Sequence, residues 1–418
     1  MSVFSIKNTL MFKRTRTFRS LRYRNYALFY FGQLISLTGT WMQHVAQAWL
    51  VYSITQSSFM LGLVSATALT PILLFGLHGG IIADRVSRYR LFIVSQVLAM
   101  IQAFILCTLT LTGLVQPWHI LLLAFLLGMV HALEMPARHS FITQLVPRDD
   151  LPNAIALNSS LIHLARFIGP AIAGWLVAWF GEGLVFLING LTFVAVIIAL
   201  LAMHLPMKTQ AVEQQWHATG VWEGLQFAWR NTTIRGALVM VGMVSLLGTS
   251  AAVLMPVFVA QVLQSGAQSL GLLLGMMGGG SLAGAIVLAR QRKTGNLIRA
   301  IGFFGITGGV ALTIFAFIQD LWLDLLILPA IGFSITMVIA SSNIIIQLSV
   351  PNQLRGRVMA LYTVIFHGLM PIGFLMSGGL AVYIGAPHTV AACGVLLLVV
   401  AAAFTFIGQA KKRSIDLK

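Results

Sequence analysis

The stretch GLHGGIIADRVSRYR (Gly76–Arg90) marks the point where one apolar helix ends and the next begins. Gly76 and Gly80 stand four residues apart near the end of a long apolar segment, which runs directly into Asp84, Arg85, Arg88 and Arg90. Small residues at this spacing form a flat stripe on one helix face, so that a second helix can pack closely against it. An apolar helix that ends in an acid and several arginines predicts a short loop at the boundary between lipid and water.

The composition of the whole chain indicates a polytopic membrane protein. Of 418 residues, 58% are hydrophobic and 9% are charged, and the mean hydropathy is +0.91. Too few polar residues are present to cover the surface of a soluble domain. A helix needs about 20 residues to cross roughly 30 Å of hydrocarbon. Twelve such segments can be counted, at 26–54, 58–83, 91–112, 118–145, 151–180, 184–205, 236–261, 269–289, 300–318, 322–348, 358–384 and 388–410.

The basic residues predict how these helices are oriented. Of the 26 Lys and Arg residues, 24 lie in segments 1–25, 84–90, 146–150, 206–235, 290–299, 349–357 and 411–418. The loops assigned to the other side contain none. Cytoplasmic loops carry the excess of positive charge, so both termini are expected in the cytoplasm. The net charge of +16 then reflects topology and attraction to anionic lipid headgroups, and no nucleic acid is expected as a partner.

The sequence does not favour an enzyme or a cofactor protein. Cys107 and Cys393 both lie in apolar segments, so neither a disulfide framework nor a metal site is expected. The glycine run 278–280 lacks the Lys and Ser or Thr of a nucleotide-binding loop. The first apolar run is much too long for a cleaved signal peptide. We therefore expect no catalytic residues, no metal and no cofactor.

The two halves of the chain are copies of each other. At an offset of 204 residues, VPRDDLPNAIAL (Val146–Leu157) aligns with VPNQLRGRVMAL (Val350–Leu361). Of the thirteen glycines before residue 206, nine fall on another glycine, whereas about 1.7 would do so by chance. Six helices repeated in the same orientation predict two bundles related by an axis along the membrane normal, with the substrate path between them.

The predicted fold is therefore an all-α membrane protein with twelve transmembrane helices in two pseudo-symmetric six-helix bundles. Residues 1–205 form the first bundle, with a basic leader at 1–25 that we expect to lie on the membrane surface. Residues 206–235 form a central cytoplasmic linker, in which Trp222, Leu225 and Trp229 share one helical face. Residues 236–418 form the second bundle, with a basic tail at 411–418.

Several segments resemble the major facilitator superfamily over essentially the whole chain. Four segments resemble the branch that includes the enterobactin exporter and the transmembrane secretion effectors. They are FRSLRYRNYALFYFGQLISLTGTWMQHVAQAWLVY (Phe18–Tyr52), GGIIADRVSRYR (79–90), PARHSFITQLVPRDDLPNAIALNSS (Pro136–Ser160) and ARFIGPAIAG (Ala165–Gly174). RGRVMALYTVIFHGLMPIGFLMSGG (Arg355–Gly379) also resembles macrolide efflux proteins. The resemblance implies the major facilitator fold and secondary active transport by alternating access.

Glu134 is the residue that we expect to couple transport to protons. It lies eleven residues before the predicted end of the fourth helix, or about 16 Å inside the membrane. An ionisable side chain at that depth costs on the order of 3 kcal/mol or more unless it is paired, and it is a functional candidate by default. Arg138 and Arg166 are the candidate partners, with His131 and His163 three residues before Glu134 and Arg166. A static ion pair between helices is the alternative interpretation.

The family resemblance implies a gate at Gly76, Gly80, Asp84, Arg85 and Arg88. In the family, the aspartate is held against the start of helix 11 when the cytoplasmic side is closed, which suits the partial positive charge of a helix N-terminus. At the same offset the second half keeps Gly280, Gly284 and Arg292, but Leu288 replaces Asp84. The alternative interpretation is an ordinary basic loop with a solvated acid.

Two further groups of residues are expected to serve transport. Gly169, Pro170 and Gly174 in GPAIAG partly resemble a helix 5 motif of antiporters, although proline and glycine also bend helices for packing reasons. Polar groups in a membrane helix face protein or water, and some will only join helices. The residues we expect on the cavity wall are Gln33, Trp41, Gln43, His44, Gln47, Asn158, Asn343, Gln347, Tyr362 and His367.

The sequence thus predicts an exporter of a small amphiphilic molecule, such as a siderophore or a drug, in the bacterial inner membrane. The proton gradient would drive it, and its ligands would be the small molecule and membrane lipids. A monomer is expected, with a partner for onward export where an outer membrane is present. The alternatives are an importer or lipid flippase of the same fold, and a non-transporting scaffold or membrane enzyme. The sequence does not identify the cargo, because cavity shape decides it.

Overall fold

The computed structural model describes residues 16–204, 221–290 and 294–416, and their regular structure is helical. The helices of the first half are α1 (Arg24–Thr55), α2 (Ser58–Arg85), α3 (Arg88–Leu111), α4 (Pro117–Leu145), α5 (Leu151–Phe180) and α6 (Glu182–Leu201). A short helix, α7 (Val221–Arg230), precedes the second half. The helices of that half are α8 (Thr232–Val262), α9 (Ala267–Arg290), α10 (Thr294–Phe315), α11 (Leu321–Ser349), α12 (352–384) and α13 (386–416).

The twelve long helices confirm the predicted fold class. Within the described ranges, ten stretches are long and apolar enough to cross a membrane, and one of them, at 352–406, contains most of two helices that meet at Gly385. Helix α1 is not among the ten, although it has 32 residues. Its glutamines and His44 lower its hydropathy.

One pair of equivalent helices, α4 and α11, repeats at both ends the offset seen in the sequence. Helix α4 (Pro117–Leu145) and helix α11 (Leu321–Ser349) have 29 residues each, and both ends differ by 204. Gly181 between α5 and α6 has a φ of 79°, and Gly385 between α12 and α13 has a φ of 78°. Only glycine adopts this conformation readily, so the duplication extends to the turns.

The two bundles meet along two pairs of helices, α5 with α9 and α2 with α12. Glycines bring the backbones together in both pairs. A β-carbon added to Gly174 would lie 2.9 Å from the Cα atom of Gly271, and one added to Gly62 would lie 3.2 Å from the Cα atom of Gly378. These contacts are at the end of the bundles that holds the turns at 56–57 and 263–266, which we call the far end.

The helices separate toward the opposite end. We call it the basic end because it holds the basic segments 84–90 and 146–150 of the sequence. The stripe of α5 that meets α9 at Gly174 continues one helical turn at a time to Ser160 and Ala156, which are both exposed. On α9, Ile286 and Ala289 are exposed on the corresponding stripe. A cleft between the bundles is therefore open at the basic end and closed at the far end.

Asp150 fixes the turn that precedes α5. Its side chain is 2% exposed, and its carboxylate pairs with Arg19 Nε at 2.7 Å and Arg22 Nη2 at 2.8 Å. Tyr23 donates a hydrogen bond of 2.6 Å to it. This hydrogen bond, followed by the two guanidinium groups, holds the pKa of Asp150 below its ordinary value. Residues 16–22 of the leader, predicted to lie on the membrane, are thus fixed to the bundle.

Helix α7 lies in the part of the linker that the structure describes. Glu223 forms an ion pair with Arg357 near the start of α12, and Gly224 allows the β-carbon of Arg357 to approach closely. On the predicted apolar face Leu225 is half-buried and Trp229 is exposed, while the side chain of Trp222 lies outside the described residues. The linker therefore connects to the second bundle at its basic end.

Candidate functional site

The charged residues inside the first bundle form one group with aromatic and histidine side chains. Arg138 and Arg166 are the two basic residues that lie outside the seven basic segments of the sequence. Glu134 precedes Arg138 by one helical turn on α4, and Arg166 lies on α5. We call these residues, with the neighbouring side chains, the interior cluster, which consists of Trp41, His44, His131, Glu134, Arg138, His163 and Arg166.

Glu134 and Arg138 form a loose ion pair. Arg138 Nη1 lies 3.9 Å from Glu134 Oε1, and the two side chains are 10% and 14% exposed. This distance is too long for a hydrogen bond, and Arg138 Nε is buried without a partner among the described residues. Of the two partners that the sequence allowed, Arg138 is the one that Glu134 has in this conformation. The carboxylate is thus held near a positive charge without a hydrogen bond from it.

Arg166 has a different neighbour. Its guanidinium lies over the ring of Trp41, with the Cζ atom 5.2 Å from the ring centroid. It forms no ion pair with any described residue, and it lies deep in the protein while keeping part of its surface accessible. The backbone of Arg166 lies against Gly278 of α9, so Arg166 is at the boundary between the two bundles, where its accessible surface faces the cleft. Gly169 makes this arrangement possible, because a β-carbon there would lie 2.8 Å from the Trp41 β-carbon.

Three histidines surround these charges. The ring of His44 lies 5.4 Å from that of Trp41, and His44 is close enough to His131 and Arg166 to interact electrostatically with both. His44 is surrounded by protein and yet exposed, so it lines the cleft. His131 interacts in the same way with Glu134, and His163, whose buried Nδ1 has no partner among the described residues, interacts with Arg166.

Among the other predicted cavity residues of the first bundle, Gln43 joins helices within the bundle. Gln43 Nε2 donates to Gln102 Oε1 at 2.9 Å, and Gln43 Oε1 accepts from Asn189 Nδ2 at 2.6 Å. These bonds join α1 to α3 and α6, so Gln43 lies inside the bundle instead of on the cleft. Gln33 and Asn158 are also buried, whereas Gln47 is half-buried.

In the second bundle, the predicted cavity residues form a polar pair and an aromatic patch. Gln347 Nε2 donates to Asn343 Oδ1 at 2.5 Å on α11. Tyr362 is buried and donates to the carbonyl oxygen of Ile339 at 3.2 Å. His367 is half-buried, with its ring 4.6 Å from that of Phe366.

The predicted gate is described only in part. The side chains of Asp84 and Arg85, and the surroundings of Gly80, lie outside the described residues, although α2 continues to Arg85. A β-carbon on Gly76 would meet no atom of a described residue within 4 Å, and Arg88 begins α3. Gly76 is thus not at the close helix contact that the glycine stripe predicts, because the bundles are apart at this end in this conformation.

Asp324 is a buried acid that the sequence reasoning did not single out. Its side chain is fully buried in α11, and neither carboxylate oxygen has a hydrogen-bond partner among the described residues. Asp320, one turn earlier, caps α11 by accepting from the backbone N–H groups of Trp322 and Leu323. The signal was present, since Asp324 lies in the predicted span 322–348, but its position near the helix start made it resemble a loop residue.

Similarity to other proteins extends over the whole chain. A family model described as transmembrane secretion effector matches residues 15–418. The staphyloferrin A transporter of Staphylococcus aureus is 23% identical over 402 residues, which are 93% of this chain and 97% of that protein. The multidrug efflux pump Tap of Mycolicibacterium fortuitum is 26% identical over 404 residues, again 93% of this chain and 97% of that protein.

A solved structure shares the fold. The crystal structure of the nucleoside transporter NupG aligns with a TM-score of 0.71 at 13% sequence identity, covering 91% of this chain and 97% of that chain. At this identity the likeness concerns the arrangement of the helices and not the cargo.

Proposed function

Because the chain belongs to the transmembrane secretion effector family of major facilitators, we propose that it is a proton-coupled antiporter that exports a small amphiphilic molecule. It is a multi-pass membrane protein that transports small molecules, and it is not an enzyme. Relatives named as a staphyloferrin A transporter and a multidrug efflux pump support a small organic cargo, and the name of the second supports export.

The shape of the cleft supports alternating access. The bundles touch at Gly62 with Gly378 and at Gly174 with Gly271, and they separate at the basic end. Two parallel six-helix repeats that rock about a central site would exchange these closed and open ends. If the basic end is cytoplasmic, as the positive-inside rule favours, this conformation is the one in which an exporter takes up its cargo. A bacterial inner membrane, with both termini in the cytoplasm, is the location we propose.

The loose pair of Glu134 and Arg138 is the observation that carries proton coupling. A carboxylate 3.9 Å from its partner is stabilised by that charge without being held by a hydrogen bond. The amount of water and the charges around this carboxylate change when the open end of the cleft changes. In the proposed cycle Glu134 takes up a proton from the far side and releases it at the basic end.

The Glu134→Gln variant tests this role in proteoliposomes. We would use three amphiphilic probes: 2-naphthalenesulfonate, 2-naphthalenesulfonamide and ethidium. For any probe that the wild type moves, the variant should lose transport driven by a pH gradient but keep probe-for-probe exchange, which needs no net proton movement. Glu182→Gln removes a carboxylate at the far end and serves as the matched control. Undiminished gradient-driven transport by Glu134→Gln would remove Glu134 from the coupling mechanism.

A further inference from the structure

The interior cluster has an uncompensated positive charge. Glu134 is its single acid, and that carboxylate is paired with Arg138. Arg166 is left without a carboxylate partner among the described residues. The three histidines contribute no negative charge in either protonation state. With Glu134 ionised and the histidines neutral, the cluster carries one net positive charge.

Arg166 cannot remove this charge by losing its proton, because a guanidinium stays protonated in proteins. The face of Trp41 stabilises the cation only in part, because an aromatic ring carries a partial negative charge on its face and no full negative charge. A charged group at this depth in a membrane protein pairs with another charge or faces a water-filled path. Arg166 faces the cleft, so its missing partner has to come from the cleft.

Resting on the proposed function, we infer that the transported molecule carries an anionic group, such as a carboxylate or sulfonate, and that Arg166 binds it. The planar guanidinium can donate two parallel hydrogen bonds to such a group. The Trp41 ring beside it offers an apolar face to the neighbouring part of the cargo. Histidine N–H groups of His44 and His163 can complete the site as donors.

Charge balance gives this arrangement a further consequence. One bound anion brings the sum of Glu134, Arg138, Arg166 and the cargo to zero. A neutral group of charges is easier to enclose away from water than a charged one. An anionic cargo therefore compensates the charge of the cluster while Glu134 is ionised, and a neutral cargo does not.

The test compares two probes of the same shape and different charge. Purified protein in an uncharged detergent and a chloride-free buffer is titrated with 2-naphthalenesulfonate and, separately, with 2-naphthalenesulfonamide, and binding is followed by the thermal unfolding midpoint. The sulfonate should bind at least tenfold more tightly than the sulfonamide. Arg166→Gln should weaken sulfonate binding at least tenfold and leave sulfonamide binding unchanged, and Arg166→Lys should recover part of the loss.

Controls separate charge from folding. Arg299→Gln removes an exposed charge on α10 and should bind the sulfonate like the wild type. If Arg166→Gln does not fold, the affinities of the wild type and of Arg166→Lys for the two probes still test the inference. Equal binding of both probes, no binding of either, or full sulfonate binding by Arg166→Gln would overturn the inference. Stabilisation by phosphatidylglycerol alone, lost in Arg166→Gln, would also contradict it, because the anion would then be a lipid headgroup.

The outcome is independent of the test of proton coupling. Binding is measured at equilibrium without any gradient, so a neutral cargo would leave the role of Glu134 intact. Conversely, normal transport by Glu134→Gln would say nothing about the charge of the cargo. The binding comparison of the two probes would still decide that charge.

Discussion

Gly174 of α5 lies directly against Gly271 of α9, so that a β-carbon on Gly174 would be 2.9 Å from the Gly271 Cα atom. Gly378 of α12, at the position equivalent to Gly174 in the second half, lies in the same way against Gly62 of α2. The duplication thus produces two matching backbone contacts between the bundles. Together they close the far end of the cleft.

These contacts predict a strong dependence on side-chain size. Gly378→Val should lower stability by about 1–3 kcal/mol, because the added atoms overlap the backbone of α2. It should also open the far end to water. This is measured by placing a single cysteine at position 61, in a background without Cys107 and Cys393, and following its labelling by an impermeant thiol reagent, which should increase. Gly379→Val is the matched control, since a β-carbon there meets nothing within 4 Å. Equal effects of the two variants would contradict the role of the contact.

Two acids one turn apart on α11 should respond oppositely to removal. Asp324 is buried with neither oxygen hydrogen-bonded to a described residue, so Asp324→Leu should raise stability by about 1–3 kcal/mol. Asp320 caps the helix, so Asp320→Ala should lower it by about 0.5–2 kcal/mol. Thermal and denaturant unfolding of the purified variants measures both. A destabilised Asp324→Leu would mean that the acid has a partner.

Asp150 should hold the leader on the bundle down to acidic pH. The pKa of Asp150 is depressed in the folded protein, so its contribution to stability is present above the unfolded value of about 3.9 and is lost as the pH falls through the folded pKa. Proteolysis near Arg19 and Arg22 should therefore be slow at pH 5 and above. Asp150→Asn should be cleaved faster at pH 7, whereas the exposed neighbour in Asp149→Asn should behave like the wild type. A leader equally protected in Asp150→Asn would show that other contacts hold it.

Gln43 should matter for stability and not for cargo. Gln43→Leu leaves the amides of Gln102 and Asn189 without their buried partner, and we expect a loss of about 1–3 kcal/mol. Gln47→Leu, one turn away and half-buried, should change stability much less. Unfolding midpoints and probe affinity are measured together. A change of affinity without a change of stability in Gln43→Leu would place that side chain on the cleft after all.

Much of the fold follows from the sequence alone. Apolar segments long enough to cross a membrane predicted twelve helices, and the glycine offset of 204 predicted the repeat that recurs in the bounds of α4 and α11. Hydropathy and repeats are properties of consecutive residues, so they can be recognised without knowing which helices are neighbours. The depth of Glu134 and Arg166 in apolar segments is found in the same way, by counting residues from the end of each segment.

The tertiary structure decided which residues share a site. Trp41, His44 and Gln43 are nearly adjacent on α1, but the first two reach the cleft while Gln43 is bonded to α3 and α6. Arg166 lies over Trp41 instead of pairing with Glu134. A helix presents its side chains in every direction, about 100° apart, so only the packing of its neighbours determines which direction is the cleft and which is the core.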